Sequence, residues 1–314
     1  MRRVIIFFTA LVVAGCSIGG PSAIAPTPAS QRSLARIYHC PTKGSIVYVS
    51  DYNNDVINIY KGNLAGQAPC GQIGSRTSLS APDGLYIQVK THDLYVANGG
   101  VSSVKVFHRG QLVPYNTYVD QSHQLVQFMD ATVTKDGTLI ATSTDCTLST
   151  WIVGPNGGTF VGNFTMKHCQ PSYPTYVAAD KNDTIYYDGQ IGGMFNPHAA
   201  LFSLKCPLGA CGAQTRFFWD VPTFSYPTGM AFDAAGDLLV TNGQGDTFEL
   251  PNPKPKFFPM PIPGEGMAIN VRDDHWFVAA DIDGAAEYSY PNGALVGTVP
   301  ANSNGYMAGV AVDP

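Results

Sequence analysis

Val47-Tyr48-Val49-Ser50-Asp51 is a short run of β-branched and aromatic residues that ends on an acidic residue. The pattern returns five more times along the chain, and each copy ends on Asp, Asn or Ser. The other copies are residues 94–98, 139–143, 185–188, 238–242 and 277–281. Runs of this composition, closed by a turn-forming residue, predict β-strands.

The six copies recur at intervals of 38 to 53 residues. Asp136-Gly137 and Gly236-Asp237 lie between apolar runs, where such pairs favour tight hairpins. A period of about 40–50 residues with several short strands in each unit is typical of the blades of a β-propeller. The observed intervals are 47, 45, 46, 53 and 38 residues, counted between Tyr48, Tyr95, Ile140, Tyr186, Leu239 and Phe277.

The C-terminal residues complete this pattern. Gly309-Val310-Ala311-Val312-Asp313 has the composition of the first strand of a unit, whereas the first unit of the chain begins at a second strand, residues 46–50. A last strand that pairs inside the first blade satisfies both ends and leaves no open sheet edge. We therefore expect an all-β, six-bladed propeller of four-stranded blades over residues 36–314, closed by the C-terminal strand.

The N-terminus has the features of a targeting segment. Arg2 and Arg3 precede an apolar run, residues 4–13, that is too short to span a bilayer as a helix. Val13-Ala14-Gly15-Cys16 follows, and this stretch resembles the lipobox of a bacterial lipoprotein signal. The resemblance implies removal of residues 1–15, lipidation of Cys16 and anchoring to the cell envelope, at the outer membrane if the host has two membranes. The alternative is an ordinary secretory signal with an incidental cysteine.

The segment that follows Cys16 indicates how the domain is attached, and the overall charge limits the kinds of partner. Residues 16–35 are rich in Pro, Ser, Ala and Gly and predict a flexible tether. Loss of Arg2 and Arg3 with the signal changes the formal net charge from −5 to −7, and there is no basic stripe. Nucleic acid is therefore not expected as a partner. We expect a monomer.

The cysteines predict disulfides. Without Cys16, six remain, which is an even number in a chain with an export signal. Six cysteines allow fifteen pairings. Pairing of nearest neighbours keeps each bridge within one blade, and it is the arrangement we expect. The predicted pairs are Cys40 with Cys70, Cys146 with Cys169, and Cys206 with Cys211.

The repeats also carry a family resemblance. Val310-Ala311-Val312-Asp313, taken with Tyr48-Val49-Ser50-Asp51-Tyr52-Asn53-Asn54 and residues 56–60, resembles an NHL-type repeat. The wider group contains the six-bladed propellers of the SMP-30 and gluconolactonase type and the streptogramin lyases. The match covers residues 36–314 at the level of the repeat, so it implies the fold more firmly than any activity.

A divalent-metal site is the catalytic hypothesis that this resemblance implies. Lactonase-like propellers hold Ca²⁺ or Zn²⁺ with side-chain oxygens at one mouth of the channel, where the metal polarises a lactone carbonyl. The alternative is that Asp or Asn after a strand bonds the backbone of its own turn, which explains why the residue recurs in every blade. The candidate ligands are Glu265, Asn98, Asn242 and Asp188.

The sequence evidence for other sets of catalytic residues is weaker. No Gly-x-Ser-x-Gly motif occurs, and we find no His-centred motif of the kind a streptogramin-lyase role needs. His92 and His275 fall in equivalent hairpin turns, which predicts solvated positions. The sequence therefore favours a lipid-anchored, non-catalytic module that binds an envelope protein or a glycan and needs no cofactor. A lactonase-like or lyase-like enzyme is the alternative.

Overall fold

The computed structural model describes most of the chain from residue 39 onward. The described ranges are 39–74, 79–122, 126–167, 176–191, 198–218, 227–242, 246–250, 256–259, 267–269, 274–280, 284–302 and 304–314. The predicted signal peptide, Cys16 and the tether lie outside them. Among the residues described, no helix is long and apolar enough to cross a membrane.

The described residues form an all-β structure of 24 strands in six four-stranded antiparallel sheets. Sheet 1 contains β1 (Ile46–Asp51), β2 (Val56–Lys61) and β3 (Gly71–Ile73). Sheet 2 contains β4 (Pro82–Gln88), β5 (Asp93–Asn98), β6 (Ser103–Phe107) and β7 (Asn116–Val119). Sheet 3 contains β8 (Phe128–Val133), β9 (Thr138–Ser143), β10 (Thr147–Ile152) and β11 (Thr159–Thr165).

The remaining sheets repeat the same up-and-down order. Sheet 4 contains β12 (Val177–Ala179), β13 (Thr184–Ile191), β14 (His198–Lys205) and β15 (Thr215–Phe218). Sheet 5 contains β16 (Pro227–Phe232), β17 (Leu238–Asn242), β18 (Asp246–Leu250) and β19 (Lys256–Pro259). Sheet 6 contains β20 (Met267–Ile269), β21 (His275–Ala280), β22 (Gly284–Ser289) and β23 (Leu295–Val299), and β24 (Met307–Asp313) follows it.

Strand β24 returns to the start of the chain. It pairs antiparallel with β1, with Ile46 opposite Asp313 and Asp51 opposite Met307, and it is the first strand of sheet 1. Every residue of β1 and of β24 is buried. A strand pair with no exposed residue must be covered on both faces, which requires a neighbouring sheet on each side.

The hydrophobic clusters identify those neighbours. Ile46 and Tyr48 of β1 pack with residues of sheet 2, whereas the alternate residues Val47 and Val49 pack with residues of sheet 6. The other clusters join sheet 2 to 3, 3 to 4, 4 to 5 and 5 to 6. The period-two alternation that marks each strand thus fills two different interfaces. The molecule is a β-propeller with antiparallel blades.

Two of the three predicted disulfides are present among the described residues. Cys40 is bonded to Cys70 and Cys206 to Cys211. Cys169 lies outside the described residues, so the third predicted pair is not described. Disulfides are typical of extracellular or periplasmic proteins, in agreement with the predicted export.

The two bridges are expected to differ in their contribution to stability. Cys40 and Cys70 are 30 residues apart, and Cys206 and Cys211 only 5. A longer closed loop removes more entropy from the unfolded chain, so replacing the first pair by Ala should cost about 3.5 kcal/mol and the second about 2 kcal/mol. Urea unfolding of the two double variants without reductant measures this order, and the reverse order would contradict the loop argument.

Candidate functional site

The polar residues that end the repeated strands lie at one face of the propeller. In the antiparallel pairs, four of them stand opposite the first residue of the innermost strand of their sheet. Asp51 faces Met307, Asn98 faces Pro82, Ser143 faces Phe128 and Asn242 faces Pro227. The register therefore places these four positions at the same end of the innermost strands.

Two of the four proposed metal ligands have described side chains, and both bind backbone. Asn98 accepts a hydrogen bond from the Ser80 N–H at 2.7 Å, and its amide donates to the Ser103 hydroxyl at 3.3 Å. Asp188 accepts from the Tyr176 N–H at 2.6 Å. Ser80 and Tyr176 belong to the segments that lead into the innermost strands β4 and β12, so both side chains brace the entry of an inner strand.

Asp51 has a similar function in sheet 1. Its carboxylate accepts from the amides of Asn54 at 3.0 and 2.9 Å and of Asn302 at 2.9 Å, and from the Tyr306 N–H at 3.3 Å. Tyr306 directly precedes β24. Only Asn54 belongs to the turn that follows the strand. Asp51, Asn98 and Asp188 thus bind mainly the incoming segment, which corrects the expectation that the strand-end residue bonds its own turn. Ser143 meets that expectation, because its hydroxyl donates to Asp145 and to the Thr147 carbonyl.

The other two proposed ligands are not tested by the structure. Glu265 lies outside the described residues, and Asn242 ends β17 with an undescribed side chain. Asn98 and Asp188 lie in sheets 2 and 4, with sheet 3 between them. Within the described part of the chain, no group of three or more His, Cys, Asp or Glu side chains is arranged to hold a metal.

A channel of about 240 Å³ runs between the innermost strands. Strands β4, β8, β12, β16 and β24 contribute its described walls, which are mostly apolar: Ile87, Val177, Met230, Phe232 and Val310 are examples. Several of these strands carry a β-bulge at the mouth, as between Phe128 and Asp130 in β8. A bulge re-aims the side chains that follow it.

Asp130 is the acidic residue in this wall, and the sequence did not single it out. One carboxylate oxygen accepts the Ala131 N–H at 2.8 Å and the other accepts the Val177 N–H of β12 at 3.0 Å. Gly84 of β4 lies so close that a Cβ there would stand 2.2 Å from the carboxylate. The carboxyl group is thus held among three inner strands.

Burial dominates the electrostatics of this group. It raises the pKa of Asp130 to about 7, against the opposing effect of the two backbone N–H donors. Burial likewise raises the pKa of Asp188 well above its ordinary range, and the nearby Asp130 carboxylate adds to the effect. A channel acid with a pKa near neutrality is a common feature of binding and catalytic sites.

The pKa of Asp130 predicts a loss of stability as the pH rises. The unfolded carboxyl ionises near pH 3.8 and the folded one near pH 7, so between these values the folded state binds more protons. Relative to Asp130→Asn, the wild-type chain should lose about 1.4 kcal/mol of unfolding free energy between about pH 6 and pH 8. Urea unfolding of both proteins at each pH tests this, and a difference that does not change with pH would contradict it.

The opposite face carries histidines anchored by buried carboxylates. His92 Nδ1 lies 2.5 Å from Asp313, and His275 Nδ1 lies 2.5 Å from Glu287; both carboxylates are fully buried. The expectation of two solvated turn histidines is met only in part, because the side chains are 45% and 34% exposed but each also contacts a buried acid. Arg109 also contacts Asp313, at 2.9 Å.

Comparison with known proteins assigns the fold and nothing finer. The chain matches no known protein family and no curated protein. A functionally unknown protein from Desulfotomaculum acetoxidans is similar in structure, with a TM-score of 0.57 and 14% identity over 86% of this chain and 99% of that one. A gluconolactonase from Xanthomonas campestris has a TM-score of 0.51 and 12% identity over 73% and 78% of the two chains. A luciferin-regenerating enzyme has a TM-score of 0.52 and 10% identity over 70% and 76%.

Proposed function

We propose that this chain is a lipid-anchored, non-catalytic binding module of the bacterial cell envelope. In this proposal the six sheets are the blades of one ring closed by β24, and an envelope protein or a glycan is the partner. The pairing of β24 with β1 and the packing of sheet 1 between sheets 2 and 6 support the closed ring. The disulfides and the lipobox-like stretch around Cys16 support export.

The use of the strand-end oxygens is the observation that carries the proposal. A hard divalent cation needs several oxygens with lone pairs directed at one point. Asn98 and Asp188 instead direct an oxygen at the backbone N–H of Ser80 and of Tyr176. These side chains stabilise the segments that lead into the inner strands, which is a structural role. In this proposal the outer surfaces of the propeller bind the partner.

This role predicts the behaviour of Asn98→Ala. The variant leaves the Ser80 N–H without its acceptor, so it should lose about 1–2 kcal/mol of stability. Because no metal is bound in this proposal, the loss should be the same in calcium as in a chelator. Thermal unfolding of wild type and variant under both conditions tests this. A calcium-dependent stabilisation of the wild type that the variant lacks would argue for a metal ligand instead.

Anchoring is tested through Cys16. The full-length chain expressed in a bacterial host should incorporate labelled palmitate and sediment with membranes, and Cys16→Ser should do neither. Identical fractionation of both chains without label would contradict the lipid anchor and leave an ordinary secreted propeller.

A divalent-metal-dependent, lactonase-like hydrolase is the second candidate. The structural similarity to a gluconolactonase favours it, although at 12% identity that similarity reaches only the fold. Glu265, Asn98, Asn242 and Asp188 would be the ligands, and the metal would polarise a lactone carbonyl. Metal retention that depends on Glu265 distinguishes this candidate from the binding module.

A further inference from the structure

We propose that the central channel binds a small organic cation, an apolar amine of one ring or a short chain, with its ammonium group against the Asp130 carboxylate. This site goes beyond the envelope partner proposed above and is independent of it. Three features support the inference: the size and lining of the channel, the unused hydrogen-bond acceptor capacity of Asp130, and two buried acids without a basic partner in the described structure.

The channel suits a small apolar body. Its volume is about 240 Å³, slightly below the range typical of pockets for drug-sized ligands. Val177 of β12 and both Met230 and Phe232 of β16 contribute to its apolar wall. A ligand of roughly one aromatic ring would replace water along these side chains and gain by burial of apolar surface.

Asp130 retains room for a donor from the ligand. A carboxylate offers about four acceptor positions on its two oxygens. The Ala131 and Val177 N–H groups use one on each oxygen. Gly84 packs against the oxygen that accepts the Ala131 N–H, so the position that remains on the other oxygen is the one for a single contact with an ammonium.

The negative charges of Asp130 and Asp188 are not compensated by a basic side chain of the described structure. No ion pair links Asp130 or Asp188 to a basic side chain of the described structure, and one oxygen of the buried Asp188 has no hydrogen-bond partner there. The described wall of the channel contains no Lys, Arg or His. A buried carboxylate without a counter-charge is costly, so an organic cation that enters the channel supplies what the protein lacks.

An organic cation fits this wall better than a metal ion. Ca²⁺ takes six to eight oxygen ligands. Asp130 is the one carboxylate among the described lining residues, and the side chains around it are largely hydrocarbon. An ammonium needs only a few acceptors and tolerates apolar surface along its carbon skeleton.

A matched ligand pair tests the proposal. We would titrate 2-phenylethylamine and 2-phenylethanol into the full-length Cys16→Ser chain at pH 8 by calorimetry. The amine should bind at least about tenfold more tightly than the alcohol, because a charge-assisted hydrogen bond exceeds a neutral one. Asp130→Asn, folded by circular dichroism, should remove this preference. Equal binding of the two ligands, no binding of either, or an unchanged preference in Asp130→Asn would overturn the inference.

A second measurement does not depend on the folding of the variant. The amide resonances of Ala131 and Val177, which bind Asp130, should shift on addition of the amine to the Cys16→Ser chain. The amide of Leu64, which binds Glu287 at 2.7 Å in another part of the molecule, should not shift and is the control. Shifts at Leu64 alone would place the ligand elsewhere and overturn the assignment. Neither result alters the tests of anchoring or of metal binding.

Discussion

Gly309→Ala is expected to lower the free energy of unfolding by about 3 kcal/mol, at the upper end of what overpacking costs. A Cβ on Gly309 would stand 2.2 Å from the carbonyl oxygen of Asp83 and 3.0 Å from the Ser50 hydroxyl. The first contact is with backbone of β4, which cannot rotate away. The Ser50 hydroxyl also accepts the Gly309 N–H at 2.7 Å and donates to the Asp83 carbonyl at 2.9 Å. The added methyl group must therefore push β24, β1 and β4 apart at this point.

Gly74→Ala is the matched control for this substitution. Among the described residues, a Cβ there meets Val56 Cγ1 alone, at 3.8 Å, an ordinary van der Waals distance. Urea unfolding should therefore show little change for Gly74→Ala and a large loss for Gly309→Ala. If Gly309→Ala is as stable as the wild-type chain, β24 does not approach β4 as described.

Arg109→Ala is expected to cost about 3–5 kcal/mol, the usual effect of removing one partner from a buried ion pair. Asp313 is fully buried, and Arg109 contacts its carboxylate at 2.9 Å. The same guanidinium donates to the carbonyls of Pro314, at 3.1 Å, and Gly44. Arg109, which follows β6, thus contacts both the last strand and the segment before β1. Its removal leaves His92 as the one ion-pair partner of Asp313 among the described residues.

Two further variants serve as controls for this prediction. Lys90→Ala removes an exposed cation from the β4–β5 turn of the same face and should change stability by less than about 0.5 kcal/mol. Arg109→Lys keeps the charge but not the planar fork, so its loss should lie between the two. A loss below about 1 kcal/mol for Arg109→Ala in denaturant unfolding would show that the pair contributes no more than a surface ion pair.

The strands were predictable because their information is local. The alternation in Val47-Tyr48-Val49 predicts a strand, and the structure buries both sides of it. The same locality explains the two disulfides, since nearest-neighbour pairing depends only on chain distance. The pairing of β1 with β24 was also predictable, because an unpaired first strand at the C-terminus complements a missing one at the start.

The chemistry of the channel was not predictable in the same way. Asp130 stands in an ordinary strand pattern, and its burial depends on Gly84 and Val177, which come from two other sheets. The pair of His92 and Asp313 joins residues 221 positions apart. A carboxylate inside an otherwise apolar strand was the one local signal for Asp130, and only the packing of three sheets gives it meaning.

The strand-end residues show where local reasoning stops. Their recurrence and their place at one face follow from the repeat. Their bonding partners do not, because Ser80 and Tyr176 approach through connections between sheets rather than through the adjacent turn. The partners matter because a residue that stabilises an incoming strand and a residue that binds a metal are of the same types, Asp and Asn.

Bound-metal stoichiometry tests the central claim most directly. The Cys16→Ser chain would be dialysed against calcium or zinc, then against metal-free buffer, and its metal content measured by elemental analysis beside that of Glu265→Ala. A binding module whose strand-end oxygens brace the inner strands should retain no stoichiometric ion in either protein. One tightly held divalent ion per wild-type chain, lost in Glu265→Ala, would contradict this account and establish the metal site of a lactonase-like enzyme.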